Sequence, residues 1–80
     1  MDVRDKLNGI FREVFEDDTI EIRPETTAND IDGWDSFSHI TLIAAIEIRF
    51  NIKFSLKEIM SFKDVGDLIK CIERKMDYAI

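Results

Sequence analysis

The sequence predicts an all-α fold, and three observations predict it. Apolar residues recur at three- and four-residue spacing through most of the 80 residues. One proline and three glycines are too few for a turn-rich β architecture. The one stretch that alternates like a strand, Ile20-Glu21-Ile22-Arg23, has no second strand to pair with. A chain of 80 residues makes one domain, 1–80, with one small core. Its 45% hydrophobic and 35% charged residues mark it as globular rather than disordered.

Residues 3–16 read as an amphipathic helix behind a cap at Asp2. Val3, Leu7, Ile10, Phe11, Val14 and Phe15 form its stripe, and Gly9 falls away from it. Residues 17–35 form a long connection, of a length that is often functional in so small a domain. In it, Ile20 and Ile22 pin the loop to the helices, while Pro24 and the polar run Glu25 to Asp30 read as exposed. Residues 36–50 are the second helix. At about 100° per residue, Leu42, Ile43, Ile46 and Phe50, with His39 among them, share a core face. Phe37, Ile40, Ala44 and Ile48 lie nearly opposite. A helix apolar on both sides is either fully buried or presents a binding surface.

Residues 55–60 are a short helix: Ser55 and Glu58 suit a capping box, Phe54 and Ile59 a hydrophobic staple. Residues 64–76 are the last helix, with Val65, Leu68, Ile69, Ile72 and Met76 facing inward. Asp64 and Asp67 suit its start, and Arg74 and Lys75 its end. Cys71 is a core or near-core residue, and the tail after Asp77 is expected to fray.

The net charge of −6 argues against nucleic acid as a partner. Residues 1–35 carry 11 acidic and four basic residues, against six and seven over residues 36–80. All the net negative charge therefore precedes Ser36. One cysteine excludes a disulfide framework and any multi-cysteine metal site, and suits a reducing, cytoplasmic compartment. No secretory leader is read at the N-terminus. No run approaches the ~20 apolar residues of a membrane span, so no membrane insertion is expected. An opening methionine without a flanking linker suits a free-standing protein, or equally an excised domain with an added methionine.

The chemistry concentrates at Gly33-Trp34-Asp35-Ser36-Phe37, where the second helix begins. First-turn N–H groups lack intrahelical partners, and the aligned peptide dipoles leave that end partly positive. A phosphodiester carried on Ser36 would meet that field. The competing reading is that Ser36 or Asp35 merely caps the helix. A hydrolase built on Ser36 and His39 fails, because His39 faces the core and no Gly-x-Ser-x-Gly elbow is present. A calcium loop through Asp30, Asp32 and Gly33 fails too, because its first and twelfth positions would be Ala28 and His39.

The run Asp30-Ile31-Asp32-Gly33-Trp34-Asp35-Ser36-Phe37-Ser38-His39-Ile40, continued through Ile46-Glu47-Ile48-Arg49-Phe50, resembles the acyl carrier protein family. The likeness covers nearly the whole chain, including the short helix and Phe62 to Val65. It implies a four-helix bundle of acyl-carrier type, with three longer helices, one short helix and a long first loop. It implies that Ser36 receives 4'-phosphopantetheine from coenzyme A, and that the arm carries acyl groups as thioesters in fatty-acid, polyketide or related biosynthesis. Asp35 would support the transferase. Phe37, Ile40, Ala44, Ile48, Asp30 and Asp32 would form the partner surface. The implied partners are a phosphopantetheinyl transferase and acyl-loading, acyl-transfer or condensing enzymes. The protein would be a monomer without catalytic turnover of its own. The second helix has Glu47 as its one acid, offset by Arg49, and Trp34 stands where many members have a small residue. These departures point toward polyketide, specialised-lipid or aminoacyl pathways. The alternatives are a peptidyl or aminoacyl carrier, and a helical interaction module with no prosthetic group.

Overall fold

The structure, a computed structural model, describes residues 3–78, to the backbone alone at 77 and 78. Four helices follow in order: α1 (Val3–Val14), α2 (Ser36–Phe50), α3 (Leu56–Ser61) and α4 (Val65–Tyr78). A single 3-10 turn, Ala28–Asp30, interrupts the long first loop. No strand forms among the described residues. The expected cap at Asp2 lies outside them.

Helix α1 stops at Val14, two residues earlier than the stripe suggests. Glu16 adopts a left-handed conformation, φ 51°, which lets the Asp17 N–H reach back to the Arg12 carbonyl at 3.1 Å. The Ile20–Ile22 segment pairs with no strand among the described residues, and α1 side chains bond its backbone instead. Asn8 Oδ1 accepts from the Ile22 N–H at 2.7 Å, and Arg12 Nε donates to the Ile20 carbonyl at 2.8 Å. Ile20 and Ile22 are buried, as expected of residues that pin the loop.

The stretch from Pro24 to Asp30 is exposed as read, except at Thr26 and in part Thr27. Thr26 is buried, and its hydroxyl accepts from the Arg23 N–H at 2.8 Å. The first turn of α4 supplies the reason, because its N–H groups need acceptors. The Thr26 carbonyl takes Val65 N–H at 2.9 Å, and the Pro24 carbonyl takes Gly66 N–H at 2.7 Å. A Cβ on Gly66 would stand 2.9 Å from the Pro24 oxygen, so the contact requires glycine.

Helix α2 spans the predicted residues. Leu42, Ile43 and Ile46 are buried against Leu7, Ile10 and Phe11 of α1 and Val65, Leu68 and Ile72 of α4 in one continuous core. Asn51 ends the helix in the left-handed region, its N–H bonded to the Glu47 carbonyl. Helix α3 is the predicted short helix moved by one residue: Ser55 is its cap, and the Ser55–Glu58 box closes with bonds of 2.8 and 3.1 Å. Helix α4 starts one residue later and ends two later than its apolar pattern, taking in Asp77 and Tyr78. The fraying expected of 79 and 80 falls outside the described residues. Cys71 is buried, whereas Met76 is 40% exposed and leaves the inward face assigned to it.

Glu58 ties α3 to α4. Its carboxylate accepts from the Ser55 N–H and pairs with Lys75 at 3.0 Å. The Ser55 N–H first, then Lys75, bring its pKa from 4.5 down to about 2. A folded pKa below the unfolded one adds stability that is complete above the unfolded value and is lost as pH falls through the folded one. Glu58 therefore contributes fully above pH 4.5 and progressively less down to about pH 2. Glu58→Gln should flatten the stability profile over that window, read as the urea midpoint at stepped pH.

The two faces of α2 should separate in denaturant. Leu42→Ala or Ile46→Ala should cost about 2–5 kcal/mol, as truncations of buried aliphatics do. Phe37 is 83% exposed, so Phe37→Ala should stay within about 0.5 kcal/mol of the parent. Urea melts followed by far-ultraviolet circular dichroism measure both.

Candidate functional site

Gly33 turns the chain into α2 with φ 87°, a conformation side-chain-bearing residues rarely hold. Asp35 then caps the helix. Its Oδ1 accepts from the Phe37 and Ser38 N–H groups at 3.0 and 2.9 Å. Ser38 completes the box: its hydroxyl accepts from the Asp35 N–H at 2.8 Å and donates to the Gly33 carbonyl at 2.6 Å. The Ser38 N–H is the main cause holding the Asp35 carboxyl below its usual range, with the Phe37 N–H assisting.

The two readings of Ser36 now separate. Asp35 is the cap and Ser36 is the first helical residue. The Ser36 side chain is exposed, and its hydroxyl makes no hydrogen bond to the described residues. It is thus free for modification at the positive end of a 15-residue helix. Ser38 was legible as the residue three after Asp35, where a capping box has its second member, but the sequence reading did not use it.

His39 cannot serve Ser36 as a base. The Trp34 indole N–H donates to His39 Nδ1 at 3.0 Å, and His39 Nε2 donates to the Ile59 carbonyl at 3.0 Å. Both ring nitrogens are engaged, and the ring bridges the loop, α2 and α3. The Trp34 indole also meets Phe11 edge-on, with ring centroids 5.2 Å apart. His39 is packed, as its helical phase predicts.

On the outward side of α2, Phe37, Ile40, Ala44 and Ile48 are all exposed, as their helical phase predicts. In the loop, Asp30 and Asp32 are exposed as well. Asp30 is not idle, since its carboxylate accepts from the Thr27 N–H at 2.9 Å and closes the cap of the 3-10 turn. Helix α3 adds residues the sequence reading missed: Leu56 is 69% and Met60 78% exposed. Their four-residue spacing was the available signal. With Ser36, Ile40, Phe62 and Lys63 they line a groove of about 490 Å³ between α2 and α3. A slender chain attached at Ser36 can lie along this groove, so the residues present fit a covalent arm at that serine.

Residues 5–72 match the family model described as the phosphopantetheine attachment site. The fold superposes with a TM-score of 0.91 on the solution structure of a holo acyl carrier protein from Geobacter metallireducens. That protein is 47% identical, and the match covers 99% of this chain and 91% of that one. A non-reducing polyketide synthase of Emericella nidulans is 31% identical over 75 residues, which are 94% of this chain and 3% of the synthase. The chain thus spans a small fraction of the length of that relative.

The Trp34–His39–Ile59 bridge has a measurable worth. Trp34→Phe keeps a ring beside Phe11 but leaves His39 Nδ1 without its donor. The expected loss is about 1–3 kcal/mol, that of a partly buried acceptor left unpaired, measured by urea denaturation.

Proposed function

The chain belongs to the acyl carrier protein family, and on that premise we propose that Ser36 is the residue that carries its 4'-phosphopantetheine arm. The observation that supports this assignment is the division of labour at the head of α2. Asp35 and Ser38 satisfy the cap, leaving the Ser36 hydroxyl exposed, unbonded and beside the groove. When bound, the arm supplies a terminal thiol that carries acyl groups as thioesters.

The other roles follow from position and charge. Asp35 stays ionised and stands next to Ser36, so it presents a carboxylate to the phosphopantetheinyl transferase that brings coenzyme A and its metal. Ile40, Leu56 and Met60 offer an apolar bed to the arm. Phe37, Ile40, Ala44 and Ile48 form the contact stripe for acyl-loading, acyl-transfer and condensing enzymes, with Asp30 and Asp32 guiding approach. The protein acts as substrate and shuttle for those enzymes and performs no turnover itself. A polyketide or related pathway is favoured over bulk fatty-acid synthesis. Two findings support that preference: the likeness to a polyketide synthase segment, and an α2 whose one acid, Glu47, is turned inward onto the Phe54 N–H.

Ser36→Ala should fold with an unchanged circular dichroism spectrum and take up no arm. Intact mass after incubation with coenzyme A, magnesium and a broad-specificity transferase reads the outcome. A peptide map that places the added group on Ser38 or Ser55 would refute the assignment.

A further inference from the structure

The acids and bases of α2, α3 and the start of α4 differ in how far they are engaged. Four acidic residues lie between 36 and 67, and all four are half-buried and accept hydrogen bonds from backbone N–H groups. Glu47 accepts from the Phe54 N–H at 2.8 Å, and Glu58 holds Ser55 N–H and Lys75. Asp64 accepts from the Asp67 N–H at 2.9 Å, and Asp67 from the Lys63 N–H at 3.1 Å. Four basic residues share the same span. Arg49 is paired with Glu13 of α1. Lys53, Lys57 and Lys63 are exposed, and none has an ion-pair partner among the described residues.

Two of these lysines border exposed apolar residues. Lys63 lines the groove that holds Ser36, Leu56 and Met60. Lys53 lines a second hollow at the far end of α2, with Ala44 and Ile48. Lys57 is exposed on α3, next in sequence to the exposed Leu56. The loop edge, at Asp30, Asp32 and Asp35, has the opposite sign. The exposed apolar residues thus have the acidic loop before α2, with Asp35 in the groove, and free lysines on and around α3, with Lys63 in the groove.

We propose that the enzyme acting on the cargo docks here through an apolar patch with carboxylates along the margin that covers α3, and basic groups only where it meets the loop. A uniformly basic patch would set like charges against Lys57 and Lys63, which costs affinity and misdirects approach. This deepens the carrier reading and rests on it.

The test uses the condensing enzyme of the source genome that elongates the acyl-loaded wild-type protein. The holo forms of wild type, Lys57→Glu/Lys63→Glu and the neutral Lys57→Gln/Lys63→Gln are compared, each confirmed as loaded by intact mass. At about 50 mM salt the charge reversal should raise KM roughly tenfold with kcat unchanged, the neutral pair falling between. At about 0.5 M salt the three should converge. An unchanged or lowered KM for the reversal overturns the proposal, since the partner margin would then be basic or absent. So does a wild-type dimer in sedimentation that Leu56→Ser/Met60→Ser dissociates, because a second copy would then occupy the face. A wild-type chain that takes no arm would instead refute the carrier reading.

Discussion

The first turn of a helix has more N–H donors than acceptors, and at α2 that shortage is met by Asp35 and Ser38 between them. Everything at the site depends on this exchange. The Asp35 carboxylate and the Ser38 hydroxyl consume each other's backbone donors, and Ser38 reaches on to Gly33. Ser36, placed between them in the sequence, is needed by neither. A serine that capped its own helix would have its oxygen committed. A serine one position into the helix keeps the dipole and loses the obligation.

The long first loop is held by the same kind of debt. Helix α4 begins with unsatisfied N–H groups: the Asp64 side chain takes that of Asp67, and the carbonyls of Thr26 and Pro24 take those of Val65 and Gly66. Asn8 and Arg12 do the corresponding service for Ile20 and Ile22. The loop is thus stitched to α1 on one side and α4 on the other. It reaches Gly33 and Trp34 with little freedom left, and so delivers Ser36 to a defined place beside α3.

Much of this was legible in the sequence, and what was not has identifiable causes. The range of α2, both its faces and the Ser55–Glu58 box follow from side-chain type and helical phase, which are local. The stitching of Pro24 and Thr26 to α4 uses backbone carbonyls, which leave no mark in residue type; Gly66 alone hinted at the close approach. The Trp34–His39–Ile59 bridge joins residues up to 25 positions apart and turns on which ring nitrogen accepts. Met76 shares the phase of Ile72, but phase gives direction and not the reach of the neighbouring core. The exposed face of α3 was passed over because a six-residue helix reads by its caps before its stripe.

The bridge through His39 has an optical consequence. Trp34 is the only indole in the chain, and its N–H is coupled through one imidazole to the carbonyl of Ile59, on the helix that walls the groove. Any widening of that groove must lengthen or break one of the two bonds. Each change alters the polarity and hydrogen bonding felt by the indole, and with them the wavelength of its emission. The molecule thus contains its own gauge of whether the groove beside Ser36 is open or shut, legible without a label.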